Sequence, residues 1–158
     1  MHVPLDDIAD AEFWKYIWDN ELDGTPLLHR PFMERKSERC AAAIVAVANA
    51  EPGGVVIHCG IGRDRTGIVT LLLLALAGVI PDEIASDYEL SNERLRPRWD
   101  KLGEEDQGAW AEERLRRANT TARALIHDTL ASLDVDTYLR AGGISHEDIT
   151  AVRARLLE

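Results

Sequence analysis

The sequence predicts an α/β fold, a small parallel sheet carried by a majority of helix. Two observations lead to it. The apolar run Val55-Val56-Ile57 is followed by a glycine-bearing turn and then by Ile68-Val69-Thr70-Leu71-Leu72-Leu73-Leu74, the order of a buried strand, a tight loop and a buried helix. Residues 3–5 read as a second strand, and the helical stretch between the two makes them a parallel pair with a right-handed crossover.

Each element has a local signal. Residues 10–20 place Phe13, Tyr16 and Ile17, with Trp14 and Trp18 beside them, at helical offsets; this predicts a short amphipathic helix whose aromatics serve the core or a lid. Asp23-Gly24-Thr25-Pro26 is a turn. Residues 34–49 form the crossover helix, ended by Pro52-Gly53-Gly54. Beyond the apolar helix, Gly78 is a C-cap, and Pro81-Asp82-Glu83 opens a helix with acidic residues at its positive end. That helix runs past Tyr88 towards Arg94. Arg94, Arg96 and Arg98 form a basic cluster, either a rim that guides anions or a solvated face paired with Glu104, Glu105 and Asp106. Residues 97–110, with Pro97, Gly103 and Gly108, read as a lid or connector. Helices follow over residues 120–133 and 135–140, the second stopped by Gly142-Gly143. Ser145-His146-Glu147-Asp148 caps a last helix that ends near Leu157. His127 and His146 face solvent without ligand spacing to any cysteine or carboxylate cluster, so no metal site is expected.

The chemistry is concentrated in His58-Cys59-Gly60-Ile61-Gly62-Arg63-Asp64-Arg65-Thr66-Gly67. A helix begins with unpartnered N–H groups and partial positive charge, which attract a phosphate dianion. The arc Gly60, Ile61, Gly62, Arg63, Asp64 and Arg65 can curl its amides inward around phosphate oxygens. Gly60 and Gly62 tolerate the backbone angles this requires. Arg65 offers a planar fork to two of the oxygens. Cys59 then lies beneath the phosphorus, and a thiol pKa of about 8.5 falls near a helix N-terminus and cations. Arg63 and Arg65 both favour that fall. The Thr66 hydroxyl is within reach of the sulfur, and His58, on the opposite face, is expected to hold the loop backbone. A Walker A loop would need Gly-Lys-Ser/Thr, which is absent, and a dinucleotide fingerprint would need glycine in place of Arg65.

His58-Cys59 through Arg65-Thr66-Gly67 resembles the H-C-x5-R-T-G signature of protein tyrosine and dual-specificity phosphatases. Gly62-Arg63-Asp64-Arg65 is similar to a bacterial, atypical branch whose loop reads H-C-x-x-G-K-D-R-T-G. Asp87-Tyr88-Glu89-Leu90-Ser91, Tyr138-Leu139-Arg140 and Arg155-Leu156-Leu157 also look like that branch, so the likeness covers residues 2 to 157. It implies a cysteine-phosphatase-like three-layer core. It also implies hydrolysis of phosphomonoesters through a phosphocysteine on Cys59, with no metal or organic cofactor. Implied substrates are phosphorylated proteins or small phosphoesters, phosphoinositides among them. Arg63 stands where the branch has lysine. The extra strands and Asp-Leu-Arg segment that precede this region in the branch have no counterpart here, so a truncated sheet is expected. The resemblance places a general acid three residues beyond an Ile/Val-Pro pair; Val3-Pro4-Leu5-Asp6-Asp7 puts Asp7 there, with Asp6 beside it. Asp64, inside the loop, is the rival acid, its other role being to pair with an arginine. Asp19 and Asp23 are outside candidates. A protein lacking a working acid would be a phosphate-binding module, and a sulfurtransferase is disfavoured by the Arg65-Thr66-Gly67 ending.

Composition bounds the rest. The 158 residues suit one domain, 1–158, and 46% hydrophobic with 29% charged residues is ordinary for a globular protein. A net charge of −10 argues against nucleic-acid partners and anionic membrane surfaces. Cys40 and Cys59 make no disulfide framework, Cys40 belongs with core alanines, and a reactive thiol implies a reducing, cytoplasmic compartment. Residues 2–7 do not read as a signal peptide, and the apolar run 70–80 is too short to span a bilayer, so no membrane insertion is expected. The oligomeric state is open at this level.

Overall fold

The computed structural model describes residues 2–157, and among them the architecture is helical throughout. Helix α1 (Ala11–Asp19) is capped by the Asp10 carboxylate, which accepts from the Phe13 amide at 3.2 Å. A 3₁₀ turn (Pro26–Leu28) leads into α2 (His29–Arg35) and α3 (Ser37–Ala48). Helix α4 (Arg65–Leu76) follows the glycine-bearing loop, then come α5 (Pro81–Leu102) and α6 (Gln107–Arg117). The chain closes with α7 (Ala122–Ala131), α8 (Val135–Ala141) and α9 (His146–Leu157).

Helix α4 is the centre. Ile68, Val69, Leu71, Leu72, Leu73 and Leu76 are buried around much of its circumference, as expected of a helix with no solvated face. It packs against α2, α3, α5, α8 and α9, while α3 lies on α8 and α9 and α5 on α7. No helix among the described residues is long and apolar enough to cross a membrane.

The expected parallel sheet is not formed among the described residues. Residues 55–58 form no strand, no second strand lies beside them, and Val55 and Val56 are 41% and 87% exposed. A single segment without a pairing partner makes no ladder. Residues 3–5, the other expected strand, are instead tied to α3: Arg39 donates to the carbonyls of Pro4 (3.1 Å) and Asp6 (3.3 Å). The layers are therefore helix on helix around α4.

Two further expectations change. The crossover helix is split at Lys36, whose backbone leaves the helical region (φ −125°, ψ 33°) and whose ammonium is buried against Asp10 and, at 3.4 Å, Asp7. The stretch 97–110 is not one loop. Helix α5 continues through Pro97 to a left-handed C-cap at Gly103, its last turns anchored by Trp99 at 2% exposure. Asp106 then caps α6, leaving only residues 103–106 between the helices. The basic cluster Arg94, Arg96 and Arg98 is solvent-exposed, with Arg96 3.8 Å from Asp106.

Candidate active site

The loop from Cys59 to Asp64 joins residues 55–58 to the N-terminus of α4. Gly62 sits at φ +82°, a conformation open to glycine, and this turns its amide back onto Cys59, donating to Sγ at 3.3 Å. Half-burial is the largest single influence on the Cys59 thiol and pushes it up, but several smaller ones together bring it below the ordinary thiol value. These are the Thr66 hydroxyl, the amides of Thr66 and Gly62, and the Arg65 guanidinium. The Thr66 hydroxyl is buried without a partner of full hydrogen-bond geometry, which leaves it available to the sulfur. Gly60 is exposed and Ile61 half-buried in the same turn. His58 meets the Cys59 carbonyl at 3.3 Å, a contact to loop backbone.

Asp64 is the last residue before α4 and its side chain caps nothing in that helix. Instead Oδ1 accepts from the Gly24 amide at 2.9 Å. Burial pushes this carboxyl up to about 6, against the Gly24 hydrogen bond and the neighbouring Arg65 and Arg63 and with the help of Asp23. Asp64 and Arg65 line a cleft of about 490 Å³ together with Asp6, Asp23, Ile8, Trp14 and Trp18. Arg65 also lines, with Cys59 and Thr66, an adjoining space of about 800 Å³ bordered by residues 54–58.

The other two candidate acids part company. Asp6 bridges to the Arg65 guanidinium at 2.5 Å. Asp7 is not brought to the loop: its carboxylate lies 3.4 Å from both Lys36 and Arg39, and its carbonyl accepts from the Trp14 indole at 2.9 Å. The offset that singled out Asp7 presumed a strand, and without a strand the alternation of side chains does not hold. Asp19 pairs with Lys15 on the surface, while Asp23 lines the cleft.

Arg63 departs from its expected place. It is 1% exposed, donates to the Asn92 amide oxygen at 2.9 Å and to the Gln107 carbonyl at 3.2 Å, and so ties the loop to α5 and α6. The guanidinium that acts on the thiol is Arg65.

Behind the loop lies packing that no motif announced. His29 is fully buried and held neutral, its pKa lowered to about 4 by burial, and its Nε2 meets the Arg63 carbonyl at 3.4 Å. Its ring stands edge-on to Tyr88 at 5.5 Å. Gly67 fits between them; a Cβ there would lie 3.1 Å from Tyr88 and 3.2 Å from His29. Asn92, His29, Gly24 and Gln107 lie far from the loop in sequence. The only signal available for this group was the Tyr88 segment of α5.

Comparison with known proteins gives the family. Residues 20–158 match the family model of a tyrosine phosphatase family. A tyrosine-protein phosphatase of Nostoc commune is 35% identical over 122 residues, covering 70% of this chain and 41% of that protein. The triple specificity protein phosphatase PtpB of Mycobacterium tuberculosis is 31% identical over 148 residues, 82% of this chain and 53% of that protein. The chain thus spans about half, or less, of the length of these relatives. No solved structure matches it significantly.

Proposed function

Since the chain belongs to the tyrosine phosphatase family, we propose that it hydrolyses phosphomonoesters of the tyrosine or dual-specificity class, on proteins or small phosphoesters. The observation that carries this is one loop holding two proton affinities displaced in opposite senses, the Cys59 thiol down and the Asp64 carboxyl up. Such a pair is what a nucleophile and a general acid need at near-neutral pH.

Cys59 thiolate attacks phosphorus and the ester P–O bond breaks. Asp64 protonates the departing oxygen. Loop amides and the Arg65 fork stabilise the charge on the equatorial oxygens. Water then attacks the phosphocysteine, the Asp64 carboxylate takes its proton, and the S–P bond breaks to return thiolate and phosphate. Asp6, bound to Arg65, orients the guanidinium, and Arg63 braces the loop from behind. Asp64 is favoured over Asp7 as the acid because it lines the cleft with Arg65 and is pushed up to about 6. The similarity of Gly62-Arg63-Asp64-Arg65 to the atypical bacterial loop supports the same assignment. No metal or organic cofactor enters this scheme, and a cytoplasmic setting suits its thiolate.

The test is hydrolysis of an aryl phosphate by the whole chain. Cys59→Ser should abolish turnover and retain phosphotyrosine binding, and iodoacetamide should inactivate the wild type at a lower pH than a free cysteine requires unless inorganic phosphate protects it. Turnover by Cys59→Ser at the wild-type rate would refute the scheme. Binding of phosphotyrosine by the wild type without phosphate release would make the chain a phosphate-binding module. A panel of phosphopeptides against phosphoinositide headgroups ranks the substrates.

A further inference from the structure

Helix α6 grips the chain on both sides of the Asp64 carboxyl. On one side Arg63 donates to the carbonyl of Gln107 in its first turn. On the other, Arg114 donates from one nitrogen to the Asp23 carbonyl at 2.7 Å and to the Asp23 carboxylate at 3.0 Å. The Arg114 guanidinium lies 3.5 Å from the centre of the Trp110 ring, and the side chain is only 11% exposed. Trp110 presses on Gly24: a Cβ there would come within 2.7 Å of the indole, and the backbone stands at φ +73°. It is the amide of this clamped Gly24 that donates to Asp64.

We propose that Arg114 is a positioning residue for the Asp64 carboxyl, acting through Asp23 and the Gly24 amide. The proposal rests on the reading of Asp64 as proton donor. It adds that a residue in contact with neither the loop nor the cleft sets the donor's proton affinity. Two effects act in the same direction. Arg114 compensates the Asp23 charge, which otherwise favours the protonated Asp64, and it holds the turn that aims an N–H at the ionised form. The remaining groups facing Asp64 are Arg63 and Arg65 beside it and Tyr88 from α5, with Asp6 lining the same cleft and the neutral His29 behind the loop.

The experiment is a carbon-13 NMR titration of the Asp64 carboxyl in Cys59→Ser protein, its resonance assigned with Asp64→Asn, paired with the pH profile of kcat in proteins that retain Cys59. Arg114→Gln should raise the Asp64 midpoint by about half a pH unit or more, and Asp23→Asn should lower it by a similar amount. Arg114→Lys should restore most of the wild-type value. The alkaline limb of kcat, where the acid must be protonated, should move with the midpoint. A midpoint unmoved by Arg114→Gln, or moved in the same direction by both substitutions, overturns the proposal. Should Arg114→Gln fail to fold, Arg114→Met takes its place: an upward shift supports the proposal and an unchanged midpoint refutes it. Midpoints that move as expected while the kcat limb stays fixed would remove Asp64 from the role of acid and leave the positioning intact.

Discussion

Gly67 shows how a single hydrogen in place of a methyl sets the geometry of the site. It lets the first turn of α4 lie against His29 and Tyr88, and the buried imidazole with the half-buried phenol ring braces the carbonyl of Arg63 and the wall behind Asp64. A methyl at 3.1–3.2 Å from both would need them to retreat, and His29 at 0% exposure has nowhere to go. Gly67→Ala should therefore cost about 1–3 kcal/mol in urea denaturation, with kcat falling more than binding of phosphate. Arg63 and Arg65 make a complementary point. Two arginines two positions apart in sequence diverge, one braced between α5 and α6 and the other left with Asp6 at the cleft.

The helices are held in register by contacts that are short and unforgiving. At the end of α8, Gly142 lies so close to the first turn of α3 that a Cβ would stand 2.7 Å from the Ser37 carbonyl oxygen. Backbone cannot turn aside as a side chain can. Gly142→Ala should lower stability by about 1–3 kcal/mol, measured by thermal or urea unfolding, while leaving the pH profile of the remaining activity in place, because α8 does not touch the loop. Helix α6 is the contrasting case: its contacts to Arg63, Asp23 and Gly24 couple it to the loop, so changes there are expected in the pH profile first.

Across the molecule, function and stability oppose each other at Asp64. Its folded-state pKa of about 6 lies above the ordinary 3.8, so the folded protein holds more protons than the unfolded chain between those values. Stability from this group is present at acid pH and is lost as pH rises through about 6. Asp64→Asn, which keeps an oxygen for the Gly24 amide, should raise stability by about 1–3 kcal/mol at pH 7 and lower kcat for aryl phosphates at least ~10²-fold. His29 has the reverse slope. Buried and neutral, with its pKa lowered from 6.5 to about 4, it costs stability as pH falls through that window. Replacing Asp64 should thus uncover a steeper loss of stability towards acid, visible in unfolding curves taken between pH 4 and 7. A gain at pH 4 equal to that at pH 7 would contradict the burial of this carboxyl.

The reactive loop was legible in the linear order of residues because its chemistry is contiguous: a cysteine, a left-handed glycine, an arginine and a helix start lie within a few positions, and local geometry brings them together. The helix start capped by Ser145 was equally local, and so are the caps the structure adds at Asp10, Thr121 and Asp134. Which carboxylate stands in the cleft was decided between segments distant in sequence, Asp64 meeting Gly24 and Asp6 meeting Arg65 while Asp7 went to Lys36 and Arg39. The same holds for the burial of Arg63 and for the exposed, unpaired run at Val55 and Val56, since pairing and desolvation depend on what neighbours arrive and not on the pattern that invites them.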